Sequence, residues 1–426
     1  MKKIPGLHKV RMGFALLLIV SMLLLGACTG TGASTSTPTE QASDASVAGT
    51  TAAGQAPDTT SPETTAAGTT APETTAPPER HKVRFVGLGD NLIHPNLYAF
   101  ADAAHGVEGD GKYDFTVFFE QIRPLLEEAD LRFINQETIS GGDELGLSGY
   151  PTFNSPRDLI YQLESLGFNF INLANNHSLD MGVRGIYHAL YHWNRTDVTT
   201  AGIYADAEDR ETIRVREVNG IRFALLSYTS HTNGIPADEP WRVGYMVEEE
   251  VRRDVARAKE LADFVIVSAH WGWDDIFTID DFQRNFAEIF ADSGVDMVVG
   301  TGPHLLQHIE WIDRPDGSRM LCAFSLGNYA SGMIGPFNEL SGLLQATFVV
   351  EGERKSIEEV QMIPLVMHKE VADDKMGVYL LSEYTAEMAE KSAVNHYRGG
   401  LNLPYFRQIL EEQIAPEFLP SEFRSR

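Results

Sequence analysis

Val83-Arg84-Phe85-Val86-Gly87-Leu88-Gly89-Asp90 is a short apolar run that stops at a carboxylate, and the same event recurs along the chain. Asp130-Leu131-Arg132-Phe133-Ile134-Asn135 ends in Gln136-Glu137, and Phe168-Asn169-Phe170-Ile171-Asn172-Leu173-Ala174 ends in Asn175-Asn176-His177. Phe264-Val265-Ile266-Val267-Ser268-Ala269 stops at His270, and Val295-Asp296-Met297-Val298-Val299-Gly300 reaches His304 after a glycine-rich turn. Between these strands the spacing predicts helices over 115–128, from Ser155-Pro156 to Gly167, over 247–261 and over about 281–291. Asn219-Gly220 predicts a hairpin turn between 214–218 and 221–227. Strands alternating with amphipathic helices predict an α/β fold.

In α/β sheets the ligand crevice lies outside the carboxyl ends of the strands. Asp90, Glu137, Asn176, His177, His270 and His304 all fall at or just beyond such ends, so they are expected to converge on one rim. Carboxylate oxygen, amide oxygen and imidazole nitrogen suit Mn, Zn, Fe or Mg, with no thiolate contributing. Each residue also has a bland alternative: Asp90 as a helix cap, Glu137 as a surface acid, and Asn175-Asn176-His177 as a tight turn. His188 and His192, four apart on a helix, have metal-binding spacing but no third ligand nearby in sequence, and they read as helix-surface or packing residues.

The chain has 426 residues, a formal net charge of −26 and two cysteines. Such acidity excludes the basic footprint needed for nucleic acid, and two cysteines cannot build a disulfide framework. Lys2, Lys3, Lys9 and Arg11 precede an apolar run from about Phe14 to Ala27, the pattern of an export signal. The run ends Leu25-Gly26-Ala27-Cys28, which resembles a bacterial lipobox, with Cys28 as the lipid anchor on the outer face of the cytoplasmic membrane. An ordinary cleaved signal and an uncleaved anchor helix are the alternatives. Residues 29–80, rich in Thr, Ala, Ser and Pro, predict a disordered tether. Cys322, in an apolar strand-like run, reads as a small buried hydrophobe.

Seven ordered blocks carry a resemblance: Gly89-Asp90-Asn91-Leu92-Ile93-His94, Asn135-Gln136-Glu137, Phe153-x-x-Pro156, Asn172-x-Ala174-Asn175-Asn176-His177-x-x-Asp180-x-Gly182-x-x-Gly185, His270-Trp271-Gly272, Gly300-x-x-Pro303-His304-x-x-Gln307 and Ser325-Leu326-Gly327-Asn328. In that order they resemble the CapA-type family of capsule and poly-gamma-glutamate biosynthesis proteins, whose domain is similar to the calcineurin-like metallophosphoesterases. The resemblance implies a layered sandwich of β-sheets flanked by helices over residues 81–366, and 367–426 are expected to form a short helical extension packed on it. It implies one or two divalent ions held by Asp90, Glu137, Asn176, His270 and His304, with His177 and Asp180 in catalytic roles. His94, Asn135 and Gln307 are further candidates within the same blocks. His177 would protonate a leaving oxygen or stabilise pentacoordinate phosphorus. The chain departs from the metallophosphoesterase pattern in three places: His94 lies four residues after Asp90 rather than two, the bridging acid is Glu137 rather than aspartate, and Thr301 or Gly302 stands where many relatives carry a histidine.

No complete Gly-x-x-x-x-Gly-Lys-Ser/Thr phosphate loop is present, so the chain is not expected to be an ATP-dependent ligase by itself. The expected function is an extracytoplasmic, membrane-tethered accessory in poly-gamma-glutamate synthesis or export, working with membrane synthesis or export subunits. The alternatives are a metal-dependent phosphoesterase acting on cell-envelope phosphoesters and a non-catalytic wall-binding module. The acidity opposes capture of a polyanion unless metal ions or a local basic groove offset it.

Overall fold

The computed structural model describes residues 79–371 and 375–424. The export signal, Cys28 and nearly all of the tether lie outside the described residues. Among the described residues no helix is long and apolar enough to cross a membrane.

The first sheet begins with β1 (Arg80–Leu92), β2 (Leu131–Gln136), β3 (Phe170–Asn172) and β4 (Thr199–Ala201), neighbouring and parallel. The chain then builds a second sheet from β5 (Arg214–Val218), β6 (Ile221–Thr229), β7 (Phe264–His270), β8 (Met297–Thr301), β9 (Ile309–Asp313) and β10 (Arg319–Ala323), in the order β5-β6-β7-β8-β10-β9. It returns to the first sheet as β11 (Asn328–Ser331), β12 (Leu340–Glu351), β13 (Arg354–Glu370) and β14 (Lys375–Leu380), giving β14-β13-β12-β1-β2-β3-β4 with β11 beside β1.

Period-two alternation decides the layering. Val83 and Phe85 of β1 share one core with Phe223 and Leu225 of β6 and Phe264 and Ile266 of β7, so this core joins the two sheets. Val86 and Leu88 face the other way, against Leu97, Leu163 and Ile186 from helices Pro95–His105, Asp158–Ser165 and Gly182–Trp193. Val265 and Val267 pack outward on Val251, Val255 and Phe290 from helices Glu248–Leu261 and Asp281–Ser293. Phe348 of β12 bridges the sheets, with its ring 5.0 Å from Phe223 and 4.8 Å from Phe264. The α/β expectation holds as two sheets flanked by helices.

Several local expectations change. The predicted helix over 115–128 is a 3-10 segment, Phe115–Ile122, followed by a short α-helix, Arg123–Glu127. Pro124 has no N–H to continue the ladder and sits in the first turn of the second piece. Ser155 does not cap the next helix, because its hydroxyl bonds Thr138 Oγ1 at 2.7 Å and the helix starts at Asp158. The hairpin is as expected, with Asn219 and Gly220 both at positive φ. The sheet runs past the expected boundary at 366, since β13 continues to Glu370 and pairs with β14. Beyond β14, Phe406, Ile409, Leu410 and Phe418 join the core between the sheets.

Gly89 is the residue that aims the first carboxylate. Leu88 pairs with Ile134 and Asp90 with Asn135, so Gly89 is the extra residue of a bulge that turns Asp90. A Cβ at Gly89 would stand 1.9 Å from Gly327 O, the carbonyl that accepts from Asp90 N at 2.9 Å. Gly89→Ala is therefore expected to destabilise the protein by about 3 kcal/mol or more, as overpacking against backbone does, measured by urea unfolding. Wild-type stability would remove the bulge from this account.

Candidate metal centre

Strand ends from both sheets meet at one rim. Asp90 closes the β1 bulge, Glu137 follows β2, His270 ends β7, and His304 follows β8. His304 takes φ 60° directly after the Gly302-Pro303 turn, and Asn338 Nδ2 donates to its carbonyl at 3.1 Å. Asp90, Glu137 and His304 each present one ligand atom, all within 4.8 Å of one another. His304 Nε2 is 3.7 Å and His270 Nε2 is 3.9 Å from Glu137 Oε1. His304 Nδ1 is 3.2 Å from Asp90 Oδ2 and 3.0 Å from Asn328 Oδ1, both acceptors, so Nδ1 carries a proton and Nε2 faces Glu137. Asn135 Nδ2 donates to Asp90 Oδ1 at 2.7 Å, and Asn172 Nδ2 donates to Asn135 Oδ1 at 2.7 Å.

The electrostatics of this cluster are unbalanced. Burial and the nearby Asp90 carboxylate hold Glu137 well above the usual range. Burial also works to raise Asp90, but the His304 hydrogen bond and charge outweigh it and leave Asp90 low. Burial pushes His270 down to about 3. It also works against protonated His304, yet Glu137 and Asp90 pull that ring up to about 10. Neither Glu137 oxygen has a hydrogen-bond partner, although both are buried. A buried carboxylate without partners is costly, and a divalent cation among hard oxygen and imidazole donors is the group that fits it.

A cleft of about 510 Å³ opens beside the cluster, lined by His304, Asn176, His177, Asp274, His94 and Phe153 among others. Asn176 Oδ1 is buried without a partner on this wall. His177 Nδ1 lies 2.7 Å from Asp180 Oδ2, which also accepts from Phe153 N at 2.6 Å. Asp180 therefore accepts the hydrogen bond from Nδ1–H and leaves Nε2 as the ring's free nitrogen. Phe153 stands edge-on to His177 at 4.7 Å and to His94 at 5.0 Å, which fixes both rings.

Thus Asp90, Asn135, Glu137, His270 and His304 come together, and Asn176, His177 and Asp180 form the adjoining wall. His94 lies on that wall, but its Nδ1 accepts from Gly332 N at 3.0 Å, and burial pushes it down to about 4. Gln307 does not join the site: its amide donates to Ile276 O at 2.9 Å and its oxygen accepts from Gln283 at 2.8 Å. His188 and His192 lie on the outer face of their helix. Cys322 is buried, and burial raises its thiol. In the turn that leads to His304, the Thr301 hydroxyl sits 3.1 Å from His270 Nδ1, and a Cβ at Gly302 would meet Trp271 O at 2.7 Å.

Asn328, Asn233 and Asp274 were not foreseen. Asn233 Nδ2 approaches His177 Nδ1 at 3.5 Å from the loop after β6, at positive φ. Asn328 stands at the end of the seventh motif block, and Asp274 follows Trp271-Gly272-Trp273, so proximity to recognised blocks was the available signal.

The profile of the bacterial capsule synthesis proteins, PGA_cap, matches residues 84–333, which contain every residue of the cluster and the wall. The PGA biosynthesis protein CapA of Bacillus subtilis is 29% identical over 184 residues, 41% of this chain and 45% of its own. The capsule biosynthesis protein CapA of Bacillus anthracis is 27% identical over 182 residues, 41% of this chain and 43% of its own. Each match takes in less than half of the relative's length. A solved phosphatase from Mycoplasma pneumoniae aligns with 68% of this chain and 95% of its own at 16% identity, with a TM-score of 0.43, too slight a likeness to carry a chemical conclusion. By the span of the profile match, this chain belongs to the bacterial capsule synthesis protein family, PGA_cap.

Proposed function

We propose that this protein is an extracytoplasmic accessory of poly-gamma-glutamate capsule synthesis or export, tethered through Cys28, with a divalent-cation site of phosphoesterase type. The single observation that carries the site is Glu137, fully buried between Asp90, His270 and His304 with both oxygens unpartnered. Asp90, Glu137, His270 and His304 would hold the cation, with Asn176 Oδ1 from the cleft wall. A cation bound there supplies Lewis-acid polarisation of a phosphoryl oxygen and lowers the pKa of bound water.

The chain's own residues do the rest. Asp180 orients His177 and holds its Nδ1 proton, so Nε2 can carry a proton for a leaving oxygen at the cleft. Asn233 and Asn176 flank that ring and can direct phosphoryl oxygens. Phe153 and Met333 line the cleft and set apolar surface beside these groups.

His177→Ala is expected to lower turnover of an aryl phosphodiester by about 10²–10⁴-fold, the range for a positioned acid, while retaining metal content. Equal turnover by wild type and variant would remove His177 from the chemistry. The capsule role has its own test: deletion is expected to reduce surface polymer, and an unchanged capsule would overturn it.

A further inference from the structure

Helix Gly182–Trp193 and the turn after it place Arg184, Tyr187, His188, Tyr191, His192 and Arg195 three and four residues apart, on one face. Ile186, Ala189, Leu190 and Trp193 occupy the buried face, so the stripe is the solvent face. Tyr187 and Tyr191 are 48% and 56% exposed, high values for large rings on one helix. The Arg195 guanidinium lies 3.3 Å from the Tyr191 ring centroid, and Tyr161 OH from the neighbouring helix is 2.8 Å from His192 Nδ1. Arg157, paired with Glu144, closes one side of a shallow pocket of about 450 Å³ over Tyr187, His188, Tyr191 and His192.

Charge sets this face apart. The charged groups acting most on His192 are Arg157, Glu144, Arg195 and His188, of which only Glu144 is acidic. Arg184 and Arg195 have no acidic partner among the described residues. In a chain of net charge −26, two arginines without acidic partners beside exposed tyrosines are a local excess of positive charge, although Arg195 also donates to Tyr191 O. The helix also starts two residues beyond Asp180, so the stripe leads away from the turn that carries His177.

We propose that this stripe binds an extended polycarboxylate chain. Guanidinium groups pair with carboxylates in bidentate fashion, and tyrosine faces cover the short aliphatic segments between them. From Arg184 to Trp193 the helical rise gives a track of about 13 Å, extended by the turn that carries Arg195, room for several carboxylates of a linear polymer. The proposal deepens the capsule-polymer reading by naming where the polymer is held, and it fails separately from the cation site.

The test is fluorescence anisotropy of the full chain with a labelled poly-gamma-glutamate oligomer, with neutral dextran and phosphatidylglycerol vesicles as comparison probes. Saturable binding that weakens about tenfold or more in Arg184→Glu/Arg195→Glu, and falls with added salt, is the expected result. Arg184→Gln/Arg195→Gln should weaken binding less, and both variants should melt within a few degrees of wild type, since these side chains are exposed and give up only the contacts of Arg195 with Tyr191. Arg252→Glu, on a different helix, should bind as wild type does. The stripe is overturned by unaltered binding in the double variants, by absence of wild-type binding at low salt, or by preference for dextran or vesicles. Glu137→Gln should leave oligomer binding intact, which separates a failure at the stripe from a failure at the cation site.

Discussion

Glu137→Gln is expected to abolish stabilisation by divalent cation while leaving the cation-free protein as stable as wild type or more so. In the cation-free fold Glu137 is buried, faces Asp90, and has two oxygens without partners, so its ionised form opposes folding. The sign follows from its raised pKa: stability contributed by the protonated form is lost as pH rises through the range where Glu137 ionises. Gln has nearly the same shape and no charge, so this loss disappears in the variant. Cation should stabilise the wild type by about 4 kcal/mol at a thousandfold excess over its dissociation constant, and the variant by under about 1 kcal/mol. Thermal unfolding with and without Mn²⁺, together with metal content per chain, measures both halves. A variant that keeps both its bound metal and its thermal shift would place the cation away from Glu137.

The strands and their polar ends were legible because alternation is local: Phe85 and Leu88, or Phe264 and Val267, reveal opposite faces of one strand without any partner. The convergence of Asp90, Glu137, His270 and His304 followed from the rule that α/β sites gather at strand ends. The pairing of distant strands was less legible. β1 lies between β2 and β12, and residues of β12 are more than two hundred positions away along the chain. No periodicity reports that contact. The bulge at Gly89 depends on Gly327 O, again a distant group, so the sequence offers only a glycine before an aspartate. Gln307 shows the converse error: it stands in a motif block beside His304, but its amide is consumed by Gln283 and Ile276 O. Membership of a block reports the neighbourhood of a site, whereas hydrogen-bond partners decide whether a side chain faces it.

Lys369→Met is expected to destabilise the protein by about 3–5 kcal/mol near pH 8, with the penalty shrinking toward pH 5, because it strips a buried carboxylate of its counter-charge. Lys369 Nζ lies 2.8 Å from Glu339 Oε2 and donates to Ser331 O at 2.9 Å, while Glu339 Oε1 has no partner. Burial pushes Glu339 up to about 7 even though Lys369 pulls it down. A folded-state pKa above the ordinary carboxylate value means that folding favours the protonated acid, so its stabilisation is present at low pH and lost as pH rises through about 7. Without the lysine that loss deepens and the ionised acid stands alone in the core. Urea unfolding across this pH range measures the effect, and Lys369→Met/Glu339→Leu should restore near wild-type stability with the pH dependence of Glu339 removed. A penalty independent of pH would mean that lost packing, not charge, dominates. Asn338, one residue before Glu339, holds the His304 carbonyl, so the single variant should also bind divalent cation more weakly above pH 7 than below it, once proton competition is corrected using wild type. That coupling ties a buried ion pair in the first sheet to the loop that carries a proposed ligand.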